Sequence, residues 1–185
     1  RELAKAAVSH GSHVFLTEDS GILSCRGTLE RHGVAILTPR ELIERLDLAI
    51  AAATDPLRRE HLKAERAGAL ARLGLLADAR FALGGLRTQN QRHRDALLAA
   101  WIHLVDGLID HFESIAPGAV DKFQRAYDLA ESERHAPMQA LAAAWLANCA
   151  FNASDLPALS RHVTHALSLA EPDHHAARAR VGLVL

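Results

Sequence analysis

Phe123, Ala126, Leu129 and Ala130 recur forty positions later as Val163, Ala166, Leu169 and Ala170. Steps of three, three and one trace one face of an α-helix, so the repetition presents the same helical surface twice. Ala100-Trp101 recurs in a similar way as Ala144-Trp145. Paired helices with small residues at their contacts bury their apolar faces only against neighbouring pairs, so a period near 40 points to stacked helical hairpins. The apolar pattern predicts helices over 40–53, 56–73, 75–87, 91–113, 117–133, 136–152, 155–170 and 173–184. Asp55-Pro56 supplies an N-cap followed by proline in the first turn, Pro117-Gly118 interrupts the apolar period, and Ser154-Asp155 with Pro157 restarts it. Gly84-Gly85 reads as a helix end rather than a phosphate cradle. Loops this short fold consecutive helices back antiparallel to one another.

A chain of 185 residues with 49% hydrophobic residues has material for one core and a small appendage. The division expected here is 1–50 and 51–185. Lys and Arg number 21 against 22 Asp and Glu, and the net charge of -1 gives no long-range pull toward nucleic acid or anionic lipid. Cys25 and Cys149 stand far apart in no metal-like spacing, which fits inert thiols in a reducing cytoplasm. No apolar run reaches the roughly 20 residues of a membrane span, and residues 1–5 lack the apolar stretch of a signal peptide. The expected location is cytoplasmic, without membrane contact. The chain starts at Arg1 rather than Met, which reads as a fragment of a longer protein.

The first 50 residues follow a different pattern. His13-Val14-Phe15-Leu16-Thr17 and Val34-Ala35-Ile36-Leu37 are continuous apolar runs, as in strands covered on both faces. Gly11 and Gly33 are placed to end helices, one over residues 2–10 and one between the two runs. Two strands joined through a helix pair in parallel, so this stretch predicts a small α/β remnant with two parallel strands. The fold class expected for the whole chain is mainly α.

Segments 64–86, 97–130 and 141–170 resemble tetratricopeptide-like repeats of the loose kind seen in bacterial regulators. They depart from the 34-residue consensus in length and lack its full Trp, Leu-Gly, Tyr pattern. The resemblance implies an antiparallel helical-hairpin solenoid whose groove binds a protein or peptide.

Ala6-Ala7-Val8-Ser9-His10-Gly11-Ser12 leading into His13-Val14-Phe15-Leu16-Thr17-Glu18-Asp19, with the closing Thr38-Pro39-Arg40-Glu41-Leu42, resembles the C-terminal portion of the PIN nuclease family. That resemblance implies Asp19 as a ligand of Mg²⁺ or Mn²⁺ and Thr17 as the residue positioning that edge. Glu2 stands near the place of another family acid, and two further acids would precede Arg1. Divalent ions of this kind need several oxygen ligands, so the cofactor is expected only where the site is complete in the parent protein. RNA contact would come through this part alone. The competing reading of Thr17-Glu18-Asp19-Ser20-Gly21 is a turn with an N-cap. A truncated sheet also leaves an apolar edge that the repeats or a second copy of the chain would cover.

Elsewhere, His103, Asp106, Asp110 and Glu113 share one helix face. A metal site is one reading and a solvated polar face the preferred one. His162 with His165 and His174 with His175 read as surface pairs, and Arg58, Arg59, Arg66, Arg92 and Arg94 as solvated charges. The function expected of this chain is that of an adaptor without catalysis of its own, working through its repeats. The alternative is a fragment of a metal-dependent ribonuclease whose repeats recruit a partner or regulator.

Overall fold

The computed structural model describes residues 14–16, 18–31, 35–113 and 116–170. These are mainly helical. The first helix and Gly11 expected near the start, Glu2, Thr17, Gly33, His174 with His175, and the last helix expected over 173–184 lie outside the described residues.

Strand β1 (Val14–Leu16) pairs in parallel with β2 (Ala35–Leu37), Phe15 lying opposite Ile36. Between them are two five-residue helices, α1 (Ser20–Ser24) and α2 (Arg26–Glu30). Ile36 and Leu37 are buried, and α2 packs beside their strand. Helix α3 (Pro39–Ala52) follows β2 directly, because Thr38 opens it with a reciprocal cap. The Thr38 hydroxyl accepts from Glu41 N–H at 3.2 Å, and the Thr38 N–H donates to Glu41 Oε2 at 2.7 Å.

Six further helices follow: α4 (Pro56–Arg72), α5 (Leu76–His93), α6 (Ala96–Phe112), α7 (Ala116–Ser132), α8 (Ala136–Asn152) and α9 (Leu156–Leu169). Their first residues, 56, 76, 96, 116, 136 and 156, stand 20 apart, so each successive pair of helices occupies 40 residues. The turns keep the same step, with left-handed backbone at Gly74, Arg94, Arg134 and Ser154. After α4, Leu75 N–H donates to Leu70 O and Gly74 N–H to Ala71 O, the paired bonds that close a helix through a left-handed residue. His135 with Ala130 and Asp155 with Ala150 repeat the longer bond after α7 and α8. After α5 the amide oxygen of Asn90 takes that place, accepting from Asp95 N–H at 3.0 Å. Only one of the four left-handed positions is glycine; at the other three the cap bonds hold an ordinary side chain in a backbone region that costs it about 1 kcal/mol.

Gly84 and Gly85 lie inside α5 instead of ending it. The buried row of Ala79, Leu83 and Leu86 carries the helix through them, and Asp95 then caps α6, so the boundary falls beyond His93 instead of at 87–91.

Burial keeps the 40-residue register. Leu83, Phe123 and Val163 are buried at one position of successive units, and Leu86, Ala126 and Ala166 at another. The small residues Ala67, Gly107 and Ala147 share a third, also buried. The two tryptophans do not share a position: Trp145 stands where the preceding unit has Val105, and Trp101 where the next has Leu141. Ala100-Trp101 and Ala144-Trp145 are 44 apart, one helical turn out of step, and so reach different surroundings. Trp145 stacks on Phe123 at a centroid distance of 5.6 Å and is fully enclosed, whereas Trp101 is half-buried.

From α3 onward each helix packs on the next, and α4 also packs on α6. Arg80 of α5 pairs with Glu113 at the end of α6, and Arg87 with Asp106. Moving seven residues forward on α5 moves seven back on α6, so the two run antiparallel. No helix among the described residues is long and apolar enough to cross a membrane.

Candidate functional site

Asp19 lies three residues beyond β1 and is exposed. Its Oδ1 accepts from Ile22 N–H at 2.9 Å, making it the N-cap of α1. The carboxylate fills the turn-and-cap role that the sequence offered for it. Among the described residues no group of three or more His, Cys, Asp or Glu side chains is arranged to hold a metal ion. Thr17 and Glu2 lie outside the described residues.

The closing Thr38-Pro39-Arg40-Glu41 motif has a structural explanation as well. Glu41 both caps α3 and receives the Arg26 guanidinium in a two-pronged ion pair, with both N···O distances 2.8 Å. Its carboxyl is held down to about 2, first by Arg26 and then by the Thr38 N–H.

The acidic row of α6 binds neighbouring helices rather than a metal. Asp106 pairs with Arg87 of α5, Glu113 with Arg80 of α5, and Asp110 with Lys122 of α7 at 2.8 Å. Lys122 also lies 3.9 Å from Asp106. His103, the remaining member, is half-buried; desolvation and the nearby Arg125 lower its pKa and disfavour its cationic form. The row is thus spent on holding α5, α6 and α7 together, a correction to the solvated face expected from spacing alone.

Some of the arginines expected to be solvated are also engaged. Arg66 reaches Asp47 of α3 at 2.7 Å, and Arg59 donates to Ala53 O at the end of the same helix at 2.6 Å. Arg94 is the left-handed residue that ends α5.

A groove of about 250 Å³ is lined by Gln124 and Tyr127 of α7, Leu146 of α8, and Arg161, His162 and His165 of α9. Leu146 is its buried floor. The Tyr127 hydroxyl and His165 Nε2 are hydrogen-bonded across the two walls. Desolvation and the neighbouring Arg161 lower the pKa of His162, while burial, with Glu131 and Asp128 nearby, raises that of Tyr127. His165 is exposed, as expected of a surface residue, while His162 is partly buried, and both also line this groove. They become wall residues because α7 lies against their face of α9, which the helix's own sequence does not reveal. Tyr127, Leu146 and Arg161 went unnoticed for the same reason, although aligning the units at a strict 40-residue step would have singled them out.

Cys149 is buried against α6, its Sγ 3.8 Å from His111 Nδ1, and burial pushes its thiol up to about 11. No family model matches this chain, and comparison with curated proteins and with solved structures returns no significant similarity.

Proposed function

We propose that this chain is a protein-binding scaffold of the tetratricopeptide-like kind, a helical-hairpin solenoid that holds a peptide segment of a partner. The observation that supports this reading is the groove between α7 and α9: three helices contribute its walls and floor, and it lies in a 40-residue register that stacks one helix pair on the next. A volume of about 250 Å³ lies just below the range of small-molecule sites, roughly 300–1,000 Å³, and suits one or two side chains of a bound segment better than a whole cofactor. The reading requires no catalytic group and no cofactor. Selection of a random peptide library displayed on phage tests it. Enriched sequences converging on a common motif and binding the free chain in solution support the scaffold. Failure to enrich any motif over an unrelated helical protein counts against it.

A second reading rests on the parallel pairing of β1 with β2 and the exposed Asp19 just past β1. In it, residues 1–50 are the C-terminal part of a PIN-like ribonuclease, and Asp19, with Thr17 and Glu2, belongs to a Mg²⁺ or Mn²⁺ site completed elsewhere in the parent protein. Isothermal titration of Mn²⁺ into the chain and its Asp19→Asn variant distinguishes the two. Binding lost on substitution supports the nuclease reading, and equal heats from both proteins speak against it.

A further inference from the structure

The groove between α7 and α9 is the 40-residue counterpart of a place that the preceding unit fills with its own ion pairs. There, Asp106 of α6 sits between Arg87 of α5 and Lys122 of α7, and Asp110 holds the same lysine at 2.8 Å. One unit later, Arg87 becomes Tyr127, Asp106 becomes Leu146, Asp110 becomes Ala150 and Lys122 becomes His162. Asp121 becomes Arg161, which adds a cation. The two carboxylates are gone, both replacements are buried and apolar, and a cavity stands where Asp106 stood.

Basic groups remain around that cavity without an acid to answer them. Among the described residues Arg161 and His162 form no ion pair with a carboxylate, and no carboxylate lines the groove. The nearest acids are committed or peripheral: Asp128 accepts from Gln124 Nε2 at 2.8 Å, Asp155 caps α9 through Ala158 N–H at 3.0 Å, and Glu131 lies toward Tyr127. Arg161 is exposed at the rim of the groove, and a guanidinium there is best answered by a carboxylate, which can accept two of its N–H bonds at once. The floor and the Tyr127 ring offer apolar contact next to it.

We propose that this groove takes a carboxylate side chain of a partner peptide, flanked by an apolar residue, with the carboxylate held by Arg161 and His162 and the apolar side chain seated on Leu146 and Tyr127. The incoming acid restores from outside the carboxylate that Asp106 supplies from inside one unit earlier. This deepens the scaffold reading and rests on it, since it names the chemistry of the bound segment.

The test is an amide-resolved NMR titration of the full chain with an acetylated, amidated pentapeptide Ala-Leu-Glu-Leu-Ala, against the same peptide with Gln in place of Glu. The expected result is saturable shifts centred on residues 124, 127, 146, 161, 162 and 165, with roughly three- to fivefold weaker binding of the Gln peptide, the size of one solvent-exposed charge pair. Arg161→Gln, a surface change that leaves the core alone, reduces the Glu peptide to the level of its Gln analogue. Leu146→Asp, which returns the acid of the preceding unit, abolishes the preference for Glu over Gln.

Equal affinity for the two peptides at the groove overturns carboxylate recognition and leaves the scaffold reading standing. Shifts confined to another face overturn the groove assignment and likewise leave the scaffold intact. An absence of shifts overturns the proposal, while the scaffold is judged separately by the library selection.

Discussion

Arg26 of α2 and Glu41 of α3 are joined through the two terminal guanidinium nitrogens and both carboxylate oxygens, while the same carboxylate caps its own helix at Thr38. One side chain therefore ties the two short helices to the rest of the chain. Its carboxyl is held at about 2 against an ordinary 4.5. A depressed folded value means that the contribution is fully present above about 4.5 and is lost as pH falls toward about 2. The protection of the amides of residues 20–31 against hydrogen exchange, taken relative to the unfolded-chain rate at each pH, should fall through that window. In Glu41→Gln these amides exchange faster already at neutral pH, without the same acid step.

Gly107 lies against the ring of Phe123, where an added Cβ would stand 2.7 Å from two ring carbons. Phe123 is itself fixed by its stack on Trp145, so the ring has little room to move. Gly107→Ala should destabilise the chain by about 1–3 kcal/mol in denaturant unfolding. The contrast is Gly85→Ala in the exposed interior of α5, where an added Cβ meets nothing within 4 Å. That substitution should stabilise by roughly 0.5–1 kcal/mol.

The acids of α6 are engaged by Lys and Arg, so Zn²⁺ at micromolar concentration and EDTA should each leave the thermal midpoint unchanged. Asp110→Asn removes the 2.8 Å partner of Lys122 and should cost about 1 kcal/mol. A metal-dependent rise in the midpoint that vanishes in the variant would restore the metal reading of this row.

Cys149 should react far more slowly than Cys25 with a disulfide reagent at pH 8, because Cys149 is buried and its thiol is raised from 9 to about 11. A raised folded value stabilises the protein below about 9, and this contribution fades as pH climbs through about 11. Cys25→Ser should remove the fast-reacting thiol and leave the slow one.

What is local in this fold could be read from its residues. The helix starts at Pro56 and Ala136 match the sequence reading, because an N-cap with proline in the first turn specifies a start within a few residues of itself. The end of α5 was misplaced because Gly84-Gly85 weakens a helix locally while its buried row, packed on neighbouring helices, holds it together. Asp19 shows the same limit in reverse: its cap bond spans three residues and was one of two readings its sequence allowed.

By itself, the sequence determined the helical character, most of the helix starts and the 40-residue period, since capping and apolar spacing act within one or two turns of chain. Only the tertiary structure decided that Arg87 answers Asp106, that Arg26 answers Glu41, and that Leu146 floors an open groove where an aspartate closes its counterpart. Those outcomes depend on which helix faces are brought together across 15 to 38 residues of chain, and a charge acquires its role from the neighbour it meets there.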